Sequence, residues 1–437
     1  MSETVRRRGT APPPSFSSPP TDDEDYSKPR HGPLMQSLRI VGFGIYFFGT
    51  GIFIHLAQLL GLPLYFYNQD WFYAWIALTK QFFGILITTM TQWWSPTLIR
   101  ISGDKSMAGL LHQDTSGLLT VDFGDRVVLM ANHQIYTDWL YLWWIAYTNS
   151  LPMHGHIYII LKASLKWVPL IGPAMQLYGF IFMARKWATD QETMRYRLQK
   201  LNSRHSQPLT SSSSKPQLDP MWLMIFPEGT NLSANTYGIS TKYAEKTSTA
   251  MTKHCLLPRH TGLQFCLQEL RSTVPYVYDC TIAYEGTPPS GFAAERFGLR
   301  SVYFEGLPPK SVNMHWRRFA MDTIPLDDEK EMAAWTLARW REKDELLEVF
   351  KQKGKFPADK TAVQIEDGPQ EEEFKTAYIN TEVRTRSPVE LGSVFVPVAL
   401  AATVGRIGVQ IMDRSLGSDG WVLLGRTDRW WVAWTDL

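Results

Sequence analysis

Apolar and polar positions along the chain fall into three regimes. Residues 40–62 and 71–94 are long apolar stretches, and from about residue 100 to 320 short apolar runs alternate with amphipathic ones. Further on, residues 327–353 interleave acids and bases, with Arg341 and Glu345 on adjoining turns, which predicts a solvated helix. The stretch 40–62 is broken only by Gly, Thr, His55 and Gln58. At about 1.5 Å per residue it covers about 30 Å of hydrocarbon and predicts a transmembrane helix. Residues 71–94 are also long enough, but Lys80 and Gln81 stand near the middle. A charge there costs roughly 2.5–3.5 kcal/mol, so a second span and a helix lying in the interface both stay open. The second span, closing a transmembrane hairpin, is the expectation carried forward.

Within 100–320, the runs 126–130, 156–161, 178–184, 221–226, 274–284 and 301–305 predict strands. Residues 137–148, 163–168, 190–201 and 262–271 predict helices. Strands interleaved with helices indicate an α/β fold, a mixed sheet flanked by helices. Residues 202–220, with four consecutive serines, read as a surface insertion, and 354–388 as a loose polar segment. The apolar run 394–404 contains Pro397 and is short for a span, and the residues beyond Gly405 show no clear period. The expected organisation is a disordered Pro- and Ser-rich tail (1–36), a membrane hairpin (37–98), a catalytic α/β unit (99–320), a charged extension (321–390), and a short apolar run with an unassigned tail (391–437).

Charge and composition sharpen this picture. Basic residues precede the first apolar stretch (Arg6–Arg8, Lys28, Arg30, Arg39) and come after the second (Arg100, Lys105), and 63–70 has none. The positive-inside rule then places both ends of the hairpin in the cytosol. A net charge of +2 gives no footprint for nucleic acid. Aromatic residues make up 13% of the chain, which suits either a membrane interface or a large core. Cys255, Cys266 and Cys280 form no CxxC pair, and the histidines have no HExxH-like spacing, so no metal site is expected.

Two motifs carry chemistry. Asn132-His133-Gln134-Ile135-Tyr136-Thr137-Asp138-Trp139 comes directly after the strand ending at Met130. There His133 faces the crevice at a strand end, and Asp138 at the start of the next helix can reach back to one ring nitrogen. Taken alone, the same residues also read as a polar helix N-terminus capped by Thr137 or Asp138. Phe226-Pro227-Glu228-Gly229-Thr230-Asn231 comes after a second apolar strand, and its Pro and Gly favour a turn. Alone it reads as an ordinary strand-to-loop turn.

Together, NHxxxxD and, about ninety residues later, FPEGT resemble the lysophospholipid acyltransferase family, the group of the 1-acylglycerol-3-phosphate acyltransferases. Lys162 to Pro169 with Gly172, Met175, Gly179, Ile181, Phe182 and Arg185 is similar to its second block, and Val274-Pro275-Tyr276-Val277-Tyr278-Asp279-Cys280-Thr281 to its proline-containing fourth. Leu307-Pro308-Pro309-Lys310 and Trp340-Arg341-Glu342-Lys343-Asp344 resemble the extension of the lysocardiolipin and lysophosphatidylinositol branch. The resemblance spans roughly residues 40 to 355 and departs from that branch in the C-terminal tail, where apolar helices are usual.

It implies a glycerolipid acyltransferase-like fold and an acyl-CoA-dependent O-acyltransferase acting on a lysophospholipid (lysophosphatidate or lysophosphatidylinositol type), with no resident cofactor. The partners are acyl-CoA, the lysophospholipid and the bilayer, and the place is the endoplasmic reticulum membrane with the catalytic unit in the cytosol. His133 is the implied base and Asp138 its orienting carboxylate. Arg185 is first choice for the substrate phosphate, with Arg259 and Lys162 as further cations. Glu228, Gly229 and Thr230 orient the glycerol part, and Pro275 belongs to the substrate-binding set. A non-catalytic lipid-binding scaffold that keeps the same fold is the rival reading.

Overall fold

The computed structural model describes residues 31–184, 186–202, 204–205, 217–366 and 376–416. Residues 1–30, most of the serine-rich insertion, the final 21 positions and Arg185 lie outside them, and with them those parts of the sequence expectations.

An eight-stranded mixed sheet organises the chain. In chain order its strands are β1 (Leu98–Gly103), β2 (Arg126–Ala131), β3 (Ile157–Lys162), β4 (Ile181–Met183), β5 (Met221–Ile225), β6 (Tyr276–Tyr284), β7 (Ser311–Ala320) and β8 (Ile379–Glu382). Across the sheet they run β8-β1-β7-β6-β2-β5-β3-β4. From β6 through β2, β5 and β3 to β4 every pairing is parallel. β7 runs antiparallel to β6 and parallel to β1, and β8 closes the edge antiparallel to β1.

Every residue of β2 and β5 is buried, because helices cover both faces, and that is why these strands read as unbroken apolar runs. Alternation survives in the packing. Val127, Leu129 and Ala131 belong to one core and Val128 and Met130 to the other.

The first core is covered by α1 (Pro33–Leu60), α2 (Gln69–Trp94) and α3 (Asp138–Thr148). The second is covered by α4 (Trp187–Leu201), α6 (His260–Leu270) and α7 (Glu329–Lys353); α5 (Ala234–Lys246) lies between α4 and α6 in the chain. The first core is rich in rings. Trp143, Tyr141 and Trp144 of α3 are all under 3% exposed, and Trp139 stacks on Phe83 of α2 at 6.3 Å. Burial of each such ring contributes about 25 cal/mol per Å² of apolar surface.

Several elements depart from the sequence expectation. Residues 300–304 form a single π-helical turn, where Tyr303 and Phe304 pack on Phe43 of α1 at 5.7 and 5.1 Å. Residues 163–167 form a 3-10 turn. The segment 354–388 is woven into the fold at two points: Val363–Ile365 pairs with Leu111–Gln113 in a side sheet, and β8 pairs with β1. The run 394–404 opens a helix, α8 (Val396–Leu416), attached to α1 by Phe53 against Phe395 at 5.0 Å.

The membrane hairpin is not shown. Among the described residues one stretch, Pro33–Tyr67, is long and apolar enough to cross a membrane. α1 leaves Ile45, Phe48, Ile52, Leu56 and Leu60 exposed. α2 instead buries residues along its length against the α/β unit. Lys80, which made that helix ambiguous, is 2% exposed. Its ammonium donates to the Ile157 carbonyl at 2.9 Å and lies 4.0 Å over the Tyr158 ring, so protein rather than lipid accommodates the charge. The tight joint between the two helices depends on Gly61, where a Cβ would sit 2.1 Å from the Trp75 ring.

Candidate active site

Because the strands from β6 to β4 are parallel, their C-terminal ends share one edge of the sheet, the usual place for a ligand crevice in such folds. Five segments converge there: Tyr284 at the end of β6, the loop after β2, the FPEGT turn after β5, Lys162 at the end of β3, and the chain leaving β4.

The loop after β2 is fixed at once by Asn132. Its amide donates to the Ile282 carbonyl at 3.0 Å, and its oxygen accepts the Ile282 N–H at 2.8 Å. Asn132 thus supports the turn. His133 is next in the chain, and its Nδ1 lies 2.8 Å from Oδ2 of Asp138, the first residue of α3. The same Oδ2 accepts the Ile135 N–H at 3.0 Å, and Oδ1 accepts the Tyr284 hydroxyl. Burial beside Asp138 pushes that phenol well above its ordinary range, so it serves as a donor. With two other donors already on the carboxylate, Asp138 accepts from Nδ1–H, and Nε2 is left as an acceptor. Asp138 is 0% exposed, whereas the His133 side chain is 17% exposed and stacks on Phe226 at 4.4 Å.

The FPEGT turn closes through Gly229 N–H to the Phe226 carbonyl at 2.9 Å, with Gly229 at φ +73°, where glycine alone is unstrained. Glu228 is 3% exposed. Its Oε1 accepts the His133 N–H and the Trp340 indole N–H, each at 3.2 Å, and Oε2 accepts the Leu256 N–H at 3.2 Å. Burial pushes this carboxyl up to about 8, and the three donors and Lys343 hold it back from going higher. Glu228 therefore ties three segments together. Gly229 and Arg259 lie on the open side and Thr230 is half-buried beside them. The Arg259 side chain passes within 3.9 Å of the Cβ position that Gly229 lacks, and its N–H bonds the Pro227 carbonyl at 2.9 Å.

Not every expected residue gathers here. Lys162 is exposed on the same rim. Arg185 lies outside the described residues. Pro275 precedes β6 and stands at the opposite edge of the sheet, seven positions before Ile282, or about 20 Å at about 3.3 Å per residue. There its carbonyl accepts the Met321 N–H at 2.9 Å, a structural position away from the site. His154 and His156, which carry no expected role in the chemistry, lie at that far edge too, before β3, and burial pushes them down to about 3 and about 4.

Three participants were not read from the sequence. Tyr284 is 146 positions from Asp138, and Trp340 is 112 from Glu228; no local spacing announces either contact. The third is a buried ion cluster beneath the site. Lys343 lies 2.5 Å from Asp279, which Arg317 also meets at 2.7 Å. Burial alone would raise Asp279, but these cations hold it below the usual carboxylate range. The polar residue Asp279 within the apolar run of β6 was the available signal. Among the described residues no group of three or more His, Cys, Asp or Glu could hold a metal ion.

Comparison with known proteins gives this edge a lineage. The profile described as Acyltransferase matches residues 112–285, and the one described as Acyltransferase C-terminus matches 303–382. An uncharacterized acyltransferase of Schizosaccharomyces pombe is 40% identical over 307 residues, covering 70% of this chain and 83% of that protein. The 2-acyl-1-lysophosphatidylinositol acyltransferase of Saccharomyces cerevisiae is 36% identical over 338 residues, covering 72% and 84%. Lysocardiolipin acyltransferase 1 of Gallus gallus is 30% identical over 324 residues, covering 71% and 74%. The chain belongs to the lysophospholipid acyltransferase family and is an O-acyltransferase of the 1-acylglycerol-3-phosphate type.

Proposed function

We propose that the protein transfers a fatty acyl group from acyl-CoA to the free glycerol hydroxyl of a lysophospholipid, with His133 as general base. The observation that carries this reading is the 2.8 Å contact between His133 Nδ1 and a fully buried Asp138, which leaves Nε2 on the partly open side of the ring. Nε2 takes the proton as the hydroxyl oxygen attacks the thioester carbonyl. Asp138 holds the tautomer and stabilises the imidazolium, and collapse of the tetrahedral intermediate expels the CoA thiolate, to which the proton passes. No enzyme nucleophile is needed. A thiol with a pKa of about 8.5 leaves readily.

Arg259 and Lys162 stand on the rim as cations for the acceptor phosphate, Arg185 is a further candidate from its place in the sequence block alone, and Gly229 and Thr230 orient the glycerol part. Glu228 has a shaping role, since the donors on both of its oxygens come from the protein. The exposed apolar side chains of α1 are consistent with a membrane anchor that brings this rim to lipid, in the endoplasmic reticulum with the catalytic unit on the cytosolic side. The acceptor is of the lysophosphatidylinositol or lysophosphatidate type, in keeping with the names of the relatives.

Replacing His133 with Ala tests the reading. Acyl-CoA-dependent acylation of a lysophospholipid panel should fall roughly 10²–10⁴-fold while membrane association persists. Retained transfer would mean another base, and no transfer by the wild type to any member of the panel would favour the non-catalytic scaffold.

A further inference from the structure

The C-terminal helix α7 carries none of the residues assigned to the chemistry, yet three of its side chains converge on the support of the site. Trp340 is fully buried and donates its indole N–H to Glu228 Oε1 at 3.2 Å. The same oxygen accepts the backbone N–H of His133 at 3.2 Å, so one carboxylate oxygen separates α7 from the histidine backbone. Four residues along α7, Asp344 accepts the N–H groups of Lys253 and His254 at 2.9 and 2.6 Å. That pins the loop whose Leu256 N–H reaches the other oxygen of Glu228. Between them, Lys343 is fully buried, pairs with Asp279 at 2.5 Å and donates to the Cys280 carbonyl at 2.6 Å. Cys280 is the register partner of Ala131, the last residue of β2 before the catalytic loop.

We propose that Trp340 is a positioning residue for acyl transfer: through Glu228 it fixes the backbone of His133 and so the placement of the imidazole at the mouth of the site. The inference rests on the reading of His133 as the base. Packing alone does not require an indole here, because a phenyl ring would fill much of the same space. The N–H is what meets the carboxylate. A buried carboxyl oxygen that loses a donor is left under-satisfied and shifts to find another, and a small displacement of a base costs rate more than binding. Without that donor Glu228 keeps two N–H partners and its carboxyl moves further up. The pH dependence of turnover should register this, and a purely space-filling role would not produce it.

The test compares full-length Trp340→Phe, Trp340→His and His133→Ala with the wild type in detergent. It measures kcat, KM and kcat/KM from pH 6 to 9, with thermal melting alongside. Trp340→Phe is expected to lower kcat by about 10-fold with little change in KM, and to move to higher pH the change in turnover that accompanies ionisation of Glu228, which the wild type undergoes near pH 8. A wild-type kcat and profile in folded Trp340→Phe would overturn the proposal. So would a loss of activity that only tracks the loss of folded protein, with an unmoved profile. Should Trp340→Phe fail to fold, Trp340→His decides, because its ring keeps an N–H that can meet Glu228. Folded Trp340→His with kcat and KM near the wild type supports the donor's role, and a fall in kcat of about 10-fold or more with an unmoved profile overturns it. Transfer retained by His133→Ala would instead sink the base assignment, whatever the helix variants do.

Discussion

Asp138 and Glu228 are both buried carboxyl groups in the segments that follow neighbouring parallel strands, and each accepts three hydrogen bonds, yet they are set to different tasks. Asp138 opens α3, where the helix N-terminus favours negative charge, and one of its donors is a side chain that itself reaches open space. Glu228 lies in a turn with no such helix end, and its donors are two backbone N–H groups and an indole. Equal burial therefore does not mean equal chemistry. The direction in which the partners lead onward decides whether a carboxylate tunes a reacting group or fastens loops.

The largest effect that sharpens this contrast is expected from Asp138→Asn. An amide can present its NH₂ to the imidazole and favour the wrong tautomer, so kcat should fall roughly 10²–10⁴-fold. A fall of less than about 10-fold in steady-state assays would reduce Asp138 to a capping residue.

Glu228→Gln should act on stability and on its pH dependence. The unfolded carboxyl titrates at about 4.3, and burial raises the folded one to about 8. Between these values the folded protein keeps a proton that the unfolded chain has lost. The contribution is full below the lower value, declines by up to about 1.4 kcal/mol per pH unit as pH rises, and is gone above the upper value. Melting scans at pH 5, 6, 7 and 8 should show a steeper decline in the wild type than in Glu228→Gln. Parallel curves would show that Glu228 stays ionised throughout.

The smallest effect belongs to Tyr284→Phe, which removes one donor from Asp138 and leaves the imidazole contact in place. About a 10-fold loss of kcat or less is expected, with substrate affinity little changed. A loss as large as that of Asp138→Asn would make the phenol an equal partner in the chemistry.

Sequence pattern exposed those parts of the molecule whose physics is local. β2 and β5 are continuous apolar runs because both of their faces are covered, and the HxxxxD and FPEGT segments lie at their ends, so the two halves of the site were legible as a pair. β7 was missed because one of its two buried faces carries Asn313, His315 and Arg317, polar residues whose partners include the distant Ser102 and Asp279. Residues 301–305 were misread because a short aromatic run fits a strand and a helical turn equally, and α1 decides between them. Lys80 argued against a membrane span only as a cost; that the cost is met by the Ile157 carbonyl is a tertiary fact. Trp340 was hidden in a helix whose surface charges dominate its pattern.

The placement of β1 has a consequence for how the chain is made. Leu98–Gly103 leaves the ribosome early, but its sheet neighbours are Ser311–Ala320 and Ile379–Glu382, more than two hundred residues later. Through most of synthesis this strand has unpaired edges on both sides, directly after an apolar helix that needs a shelter of its own. Nascent chains of this protein should therefore depend on a holding factor or an early membrane contact, and a truncation that removes Ile379–Glu382 would leave that edge open for good.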